Sequence, residues 1–277
     1  MMSTYTIFGG RGFIGSEIVS QLVNLGHSVF VPPRDDETIY SKNLGRVVYC
    51  AGYGDCEKSP FDVLEANCIL LSKILEKANF ERLIYISSTR IYMNQTDSRE
   101  DMDITICNDD PRRLFNLTKL VGEELCLKSR RDICVLRPSN VYGLALTSPL
   151  FLPSITRNAV KEGVVNMYIS KSYSKDYVSV IDVANAAIKL LISENSEKKI
   201  YNVASGFNVS AAEIADLLSR KTGCKINWHT SNNENDDQFP ITNIDSMNKE
   251  FGFIPRNVLD DLENLIEEFQ EKLKVID

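Results

Sequence analysis

Histidine is almost missing from this chain: among 277 residues only His27, in an "LGHS" turn, and His229, in a polar segment, carry an imidazole. Two such rings leave neither a His-based catalytic triad nor a His-rich zinc site to assemble, so no metal is expected. C-x-x-C is also missing. The seven cysteines are an odd number, several inside apolar runs, which points to buried free thiols rather than a disulfide framework. No stretch approaches the roughly 18 apolar residues of a membrane span, and the start "MMSTYTIFGG" has no basic leader region. The expectation is a cytosolic protein with no membrane partner. Basic stripes are lacking as well: net charge is −7 and, apart from pairs such as Arg112-Arg113 and Arg130-Arg131, Lys and Arg are scattered, so nucleic acid is not an expected partner.

What is present is enough apolar material for a sizeable core, 43% of the residues. The opening "YTIFGGRGFIGSEIVSQLVNLGHSVFV" reads as a strand over 5–8, a glycine turn, a helix carrying Ile14, Ile18, Leu22 and Leu25 at helical spacing, a stop at Gly26, and a strand over 28–31. Further strands are expected in "RVVYCAG", "RLIYISS" and "ICVLRPS", separated by a helix through "PFDVLEANCILLSKILEKA" and another around Lys119. Alternating strands and helices imply an α/β fold, a doubly wound parallel sheet covered on both faces. Past about residue 145 the alternation loosens. The expected division is 1–145, mainly a dinucleotide-binding Rossmann domain, and 146–277, mainly a smaller, discontinuous substrate-binding region with some elements returning to the first core.

Gly9, Gly12 and Gly15 form G-x-x-G-x-x-G between a strand and a helix. That spacing suits a turn needing positive φ, close backbone approach to a pyrophosphate, and a helix N-terminus whose unpaired N–H groups favour phosphate. Beyond the second strand, where an acid would bond the ribose hydroxyls of NAD, the sequence reads "VPPRDD": Pro33 takes the acid's place and Arg34 follows. A guanidinium there suits a 2′-phosphate, so NADP(H) is favoured, with Asp35 and Asp36 keeping NAD(H) open.

Five motifs together resemble the extended short-chain dehydrogenase/reductases, the NAD-dependent epimerase/dehydratase family, in its nucleotide-sugar-modifying branch. "FGGRGFIG" is similar to the family's glycine motif, "YISSTRIY" to its strand carrying a catalytic Ser or Thr, "FNLTK" to its Tyr-x-x-x-Lys, "LRPSNVYG" to the strand after the catalytic helix, and "KDYVSVIDVANA" to an Arg-Asp-Tyr segment. The resemblance implies a nucleotide-sugar substrate and a cofactor site formed by Gly9, Gly12, Phe13, Ile14, Gly15, Arg34, Ala51, Gly52, Asn67 and Lys119. Ser88, Phe115 and Lys119 occupy the catalytic positions. Ser88, Thr89, Arg90, Asn140 and Lys175 are the expected substrate contacts, and a homodimer through the helix after the "SST" strand and the helix holding Lys119 is implied. Bland alternatives stand beside these roles: a backbone-bonded hydroxyl for Ser88, a strand-end cap for Asn140, a solvated loop cation for Lys175.

The departures are as informative. Phe115 stands where the family has its proton-transferring Tyr, although Ser88, Lys119 and the glycine turn are all kept. A change confined to one oxygen is read as a deliberate Tyr→Phe replacement that strongly impairs turnover. Thr89-Arg90 replaces the Asp-Glu pair of 4,6-dehydratases, and neither the Cys nor the His of a 3,5-epimerase-reductase is found. What remains is hydride transfer at C4 of the sugar, by a 4-ketoreductase or a 4-epimerase. The alternative is a non-catalytic NAD(P)-binding sensor or partner-binding protein in which Phe115 is natural. Asn235 and Gln238 fall near where relatives contact the nucleotide, which leaves the base open.

Overall fold

The computed structural model describes residues 4–229 and 237–274. Strand β1 (Thr4–Phe8) leads through the glycine turn into α1 (Phe13–Asn24), followed by β2 (Ser28–Phe30) and β3 (Arg46–Tyr49). The second strand ends one residue earlier than its apolar run suggests, ahead of Pro32 and Pro33, neither of which has an N–H for a ladder. The segment anticipated as one long helix is interrupted: α2 (Pro60–Leu64) and α3 (Leu70–Lys77) flank a π-helical turn at Glu65–Ile69. Next come β4 (Arg82–Ile86), α4 (Arg113–Lys128), β5 (Ile133–Pro138), β6 (Asn140–Tyr142), α5 (Phe151–Lys161), β7 (Val164–Met167), β8 (Ser174–Ser179) and α6 (Val180–Ile192). The chain continues through β9 (Ile200–Val203), β10 (Asn208–Ser210), α7 (Ala211–Thr222), β11 (Lys225–Trp228), α8 (Asp245–Phe251) and α9 (Val258–Lys274).

Six strands form one parallel sheet in the order β2-β1-β3-β4-β5-β9. One face buries Ile7, Ile84 and Leu136 against Ile18 and Leu22 of α1 and the alanines of α6. The other buries Val47, Tyr49 and Tyr85 against Leu71 and Ile74 of α3 and Cys126 of α4. Both faces being covered accounts for the near-continuous apolar runs of these strands, since no face is left for polar alternation. The order reverses between β1 and β3, the crevice where ligands settle in doubly wound sheets. Strand β9, about sixty residues beyond β5, completes the sheet.

A second assembly is built from the small sheets β10-β8-β6 and β11-β7 with α5, α7 and α9, around a core holding Tyr142, Leu152, Met167, Leu218, Leu262 and Phe269. All seven cysteines are free thiols, four of them buried. Among the described residues no helix is long and apolar enough to cross a membrane, and no three His, Cys, Asp or Glu residues are grouped to hold a metal ion.

Candidate active site

The turn after β1 is shaped by two glycines. Gly9 has φ +75, and a Cβ on it would lie 2.7 Å from the Cys50 carbonyl carbon; a Cβ on Gly15 would collide with the Gly9 carbonyl. The turn therefore nests against the end of β3 and brings α1 up behind it. Helix α1 starts at Gly12 without a side-chain cap, leaving its first N–H groups to a ligand or solvent. Gly12 joins two cavities. One, about 310 Å³, is lined by Gly9, Arg11, Pro33, Arg34, Asp35, Ile39, Ala51 and Glu65. The other, about 400 Å³, runs from Phe13, Ile14 and Gly15 past Gly52 to Ser88, Phe115, Lys119, Asn140 and Lys175. An uncapped helix end between two such cavities fits a dinucleotide, whose pyrophosphate the N–H groups beyond Gly12 would receive.

Helix α4 supplies the centre of the second cavity. Asp110 fixes its start: Oδ1 accepts from the Arg112 N–H (2.8 Å) and from Arg90 Nη2 (2.7 Å), and Oδ2 accepts from Asn116 Nδ2 (2.7 Å). One turn on, Gly122 lets Tyr85 of β4 press directly against the helix, since a Cβ there would strike its hydroxyl. This close packing sets Lys119, which is 5% exposed, at the mouth of the sheet, where Nζ donates to the Ile86 carbonyl (2.8 Å). Burial lowers its pKa to about 8, partly offset by Cys50 and Glu123. The Phe115 ring lies 5.7 Å from Lys119 Nζ and 4.7 Å from the Arg112 guanidinium, centroid to cation.

Asn67, drawn inward by the π-helical turn and fully buried, ties the loop after β3 to α4. Its Oδ1 accepts from the Tyr53 N–H, and its Nδ2 donates to the Tyr53 carbonyl and to Thr118 Oγ1, each at 3.0 Å. Single-turn π insertions are frequent at functional sites; this one exchanges a helical bond for an amide that holds the cleft wall.

Ser88, two residues past the end of β4, is half-buried and caps the short 3-10 turn Thr89–Tyr92, its Oγ accepting from the Arg90 N–H at 3.1 Å. Beneath it a buried network braces the turn: Ser87 Oγ donates to Glu123 Oε1 (2.5 Å), Glu123 pairs with Arg137 through two bonds of 2.5 and 2.9 Å, and Arg137 Nη1 donates to the Tyr92 hydroxyl (2.6 Å). On the opposite wall buried Asp176 accepts from Ser139 Oγ and from the N–H groups of Ser205 and Gly206, while its carbonyl receives Asn140 Nδ2 (2.8 Å). Burial raises the Asp176 pKa, with those bonds opposing it. Next to it Lys175 is held at about 8, by burial first and by the nearby Arg90 and Arg112 charges.

The model of the "NAD dependent epimerase/dehydratase family" matches residues 5–204. The chain belongs to this family. Two curated members it resembles are GDP-L-fucose synthase of Sinorhizobium fredii (strain NBRC 101917 / NGR234), 23% identical over 79% of this chain and 80% of that one, and UDP-glucose 4-epimerase 4 of Oryza sativa subsp. japonica, 24% identical over 80% and 78%. Among solved structures, MoeE5 in complex with UDP-glucose and NAD superposes with a TM-score of 0.83 at 21% identity, covering 98% of this chain and 99% of that one. The family is one of enzymes acting on nucleotide sugars with NAD(H), and the fold is its Rossmann sheet with a second, smaller assembly beside it.

In this epimerase/dehydratase-family chain, the residues expected from sequence converge. Gly9, Gly12, Arg34 and Ala51 line the first cavity; Phe13, Ile14, Gly15, Gly52, Ser88, Thr89, Arg90, Phe115, Lys119, Asn140 and Lys175 line the second. Asn67 stands behind the wall instead of on it. Arg11, Tyr53, Arg112, Leu150 and Phe239 also line the cavities and were not anticipated. Arg11 had a signal, lying inside the glycine motif; Phe239 had none, since it reaches the cleft from a distant loop where Lys175 Nζ rests 4.9 Å from its ring. Asn235 lies outside the described residues. The Gln238 backbone pairs with Asn94, its N–H on Asn94 Oδ1 (2.8 Å) and its carbonyl on the Asn94 N–H (2.7 Å).

Proposed function

We propose that the chain is an NADP(H)-dependent oxidoreductase acting at C4 of a nucleotide-linked sugar, a 4-ketoreductase in preference to a 4-epimerase, with turnover restrained by Phe115. One observation carries the reading: Ser88, Lys119 and the Phe115 ring face one cavity that opens, at Gly12, onto the cavity of Arg34. Relatives named for GDP-L-fucose and UDP-glucose chemistry, and a structural neighbour holding UDP-glucose and NAD, support the substrate class. Bound cofactor supplies the hydride donor or acceptor. Ser88 Oγ is placed to hydrogen-bond the sugar's C4 oxygen, while Lys119 fixes the nicotinamide end and keeps a positive charge beside position 115 at neutral pH. Phe offers no proton, and loss of a positioned acid or base costs about 10²- to 10⁴-fold. The completeness of everything around the ring supports reading Phe115 as a replacement confined to one oxygen.

Preference for NADP(H) rests on two guanidinium groups, Arg11 and Arg34, lining the cavity taken for the adenosine end, where Asp35 and Glu65 are the acids. An exchangeable NADPH suits a reductase, whereas an epimerase retains its cofactor. For the assembly we propose a homodimer through α4, the helix holding Lys119, together with α3, which precedes the "SST" strand, whereas the sequence puts the second helix after it; an apolar groove between the two, in which Leu117 and Val121 are 40% and 48% exposed, supports this. Val121→Glu should then shift the protein to monomer in light scattering; an unchanged mass removes this interface. The function is tested by titrating nucleotide sugars into NADP⁺-loaded protein: a ternary complex is expected, and its absence across UDP, dTDP, GDP and CDP sugars would reject the reading.

A further inference from the structure

The reacting end of the cleft carries more positive charge than the C4 chemistry requires. Arg90 follows Ser88 by two residues and donates its own N–H to the Ser88 hydroxyl. Its guanidinium lines the cleft with Nη2 on Asp110 (2.7 Å), while Nε is buried without a hydrogen-bond partner among the described residues. Arg112 lines the same cavity, against the Phe115 ring. Two acids are near. Asp110 is already engaged by Arg90, the Arg112 N–H and Asn116, and Asp237, 38% exposed at the rim, stands 3.9 Å from Arg90 Nη2.

A buried, unpartnered guanidinium N–H costs stability unless a ligand satisfies it. Both arginines line the cavity of Ser88 and Phe115, the residues proposed for the reacting carbon, and Lys175 lines it near them. Resting on the proposed C4 chemistry, the location narrows the ligand's anionic group. With the C4 oxygen on Ser88, the neighbouring positions are C3, which bears its oxygen directly on the ring, and C5, which bears the exocyclic C6. Only C6 can be a carboxylate. We propose that the substrate is a nucleotide-linked hexuronic acid whose C6 carboxylate is received by Arg90 and Arg112. A planar carboxylate matches the guanidinium fork, in charge-assisted bonds about twice as strong as neutral ones.

The experiment is calorimetry on NADP⁺-saturated protein at about 0.15 M salt, where diffuse attraction between exposed charges is largely screened, with matched pairs: UDP-glucose against UDP-glucuronic acid, UDP-galactose against UDP-galacturonic acid, GDP-mannose against GDP-mannuronic acid. The uronate of at least one pair should bind tenfold or more tightly than its neutral partner. Arg90→Gln and Arg112→Gln should each pull that ratio toward one. Arg112, which makes no buried pair with Asp110, keeps the test open if the Arg90 variant fails to fold. Equal binding within each pair, or variants that weaken both members alike, would overturn the carboxylate assignment and leave the nucleotide-sugar reading standing; no binding by any member would overturn both.

Discussion

Phe115→Tyr adds one oxygen to a site already furnished for it. The ring's neighbours are Lys119 Nζ, 5.7 Å from the centroid, and the Arg112 guanidinium, 4.7 Å from it, so a phenol oxygen at the ring's far end would sit in a positive field. A unit charge at about 5.7 Å in an effective dielectric of about 20 is worth about 3 kcal/mol, enough to bring a phenol from about 10 to roughly 8. Such a group is partly ionised near neutral pH, close to the condition under which an acid or base is most effective. The expected gain in kcat is about 10²- to 10⁴-fold, or about 3–5 kcal/mol of barrier, with little change in substrate affinity because Ser88, Asn140 and Lys175 remain. The assay follows NAD(P)H absorbance and product stereochemistry with the nucleotide sugar that binds best. kcat/KM for the Tyr form should also show a new inflection near neutral pH that the Phe form lacks. A Tyr form that binds cofactor and sugar together yet turns over no faster would refute the catalytic reading and put a non-catalytic sensor in its place.

Arg34→Ala should weaken NADP(H) by tenfold or more while changing NAD(H) little, since only the former has a 2′-phosphate to lose; tight NAD(H) with negligible NADP(H) binding in the unmodified chain would move the assignment to an epimerase. Lys175, held at about 8, carries its charge below that pH and sheds it above. Affinity for the anionic nucleotide sugar should therefore fall between pH 7 and 9.5, and Lys175→Met should bind more weakly with that fall removed, as titrations across pH would record. Glu123→Ala strands Arg137, 3% exposed, in the core under Ser87 and Ser88; unfolding should become easier by about 3–5 kcal/mol, a drop in Tm of about 10 °C, and a Tm within 2 °C of the parent would deny the network its bracing role.

The glycine turn and the Phe115 to Lys119 spacing were legible because each is written locally, within one strand-to-helix passage or one helical turn. Arg112 and Phe239 were hidden for the opposite reason. Arg112 faces the cleft only because Asp110 caps the start of α4 and aims the chain there, and Phe239 arrives from a loop that no neighbouring pattern marks. The π-helical turn shows where periodicity fails: apolar spacing from Pro60 to Lys77 reads as one helix, yet Asn67 bonds Tyr53 and Thr118 across the fold, and those long-range bonds outweigh the regular backbone they displace.

The same distinction bears on Arg90. As a residue of the "SSTRIY" run it is expected to contact substrate and stands where a dehydratase has one of its acids, but nothing in the run says what part of the substrate it meets. Folded, it is a cation in the cleft: one guanidinium nitrogen is tied to a buried carboxylate, another is buried without a partner among the described residues, and its backbone N–H donates to the hydroxyl proposed for the C4 oxygen. A residue in that place does more than disable elimination. It sets a charge where a neutral sugar would present only a hydroxymethyl group, so the departure that narrows the reaction is also the feature that selects the substrate.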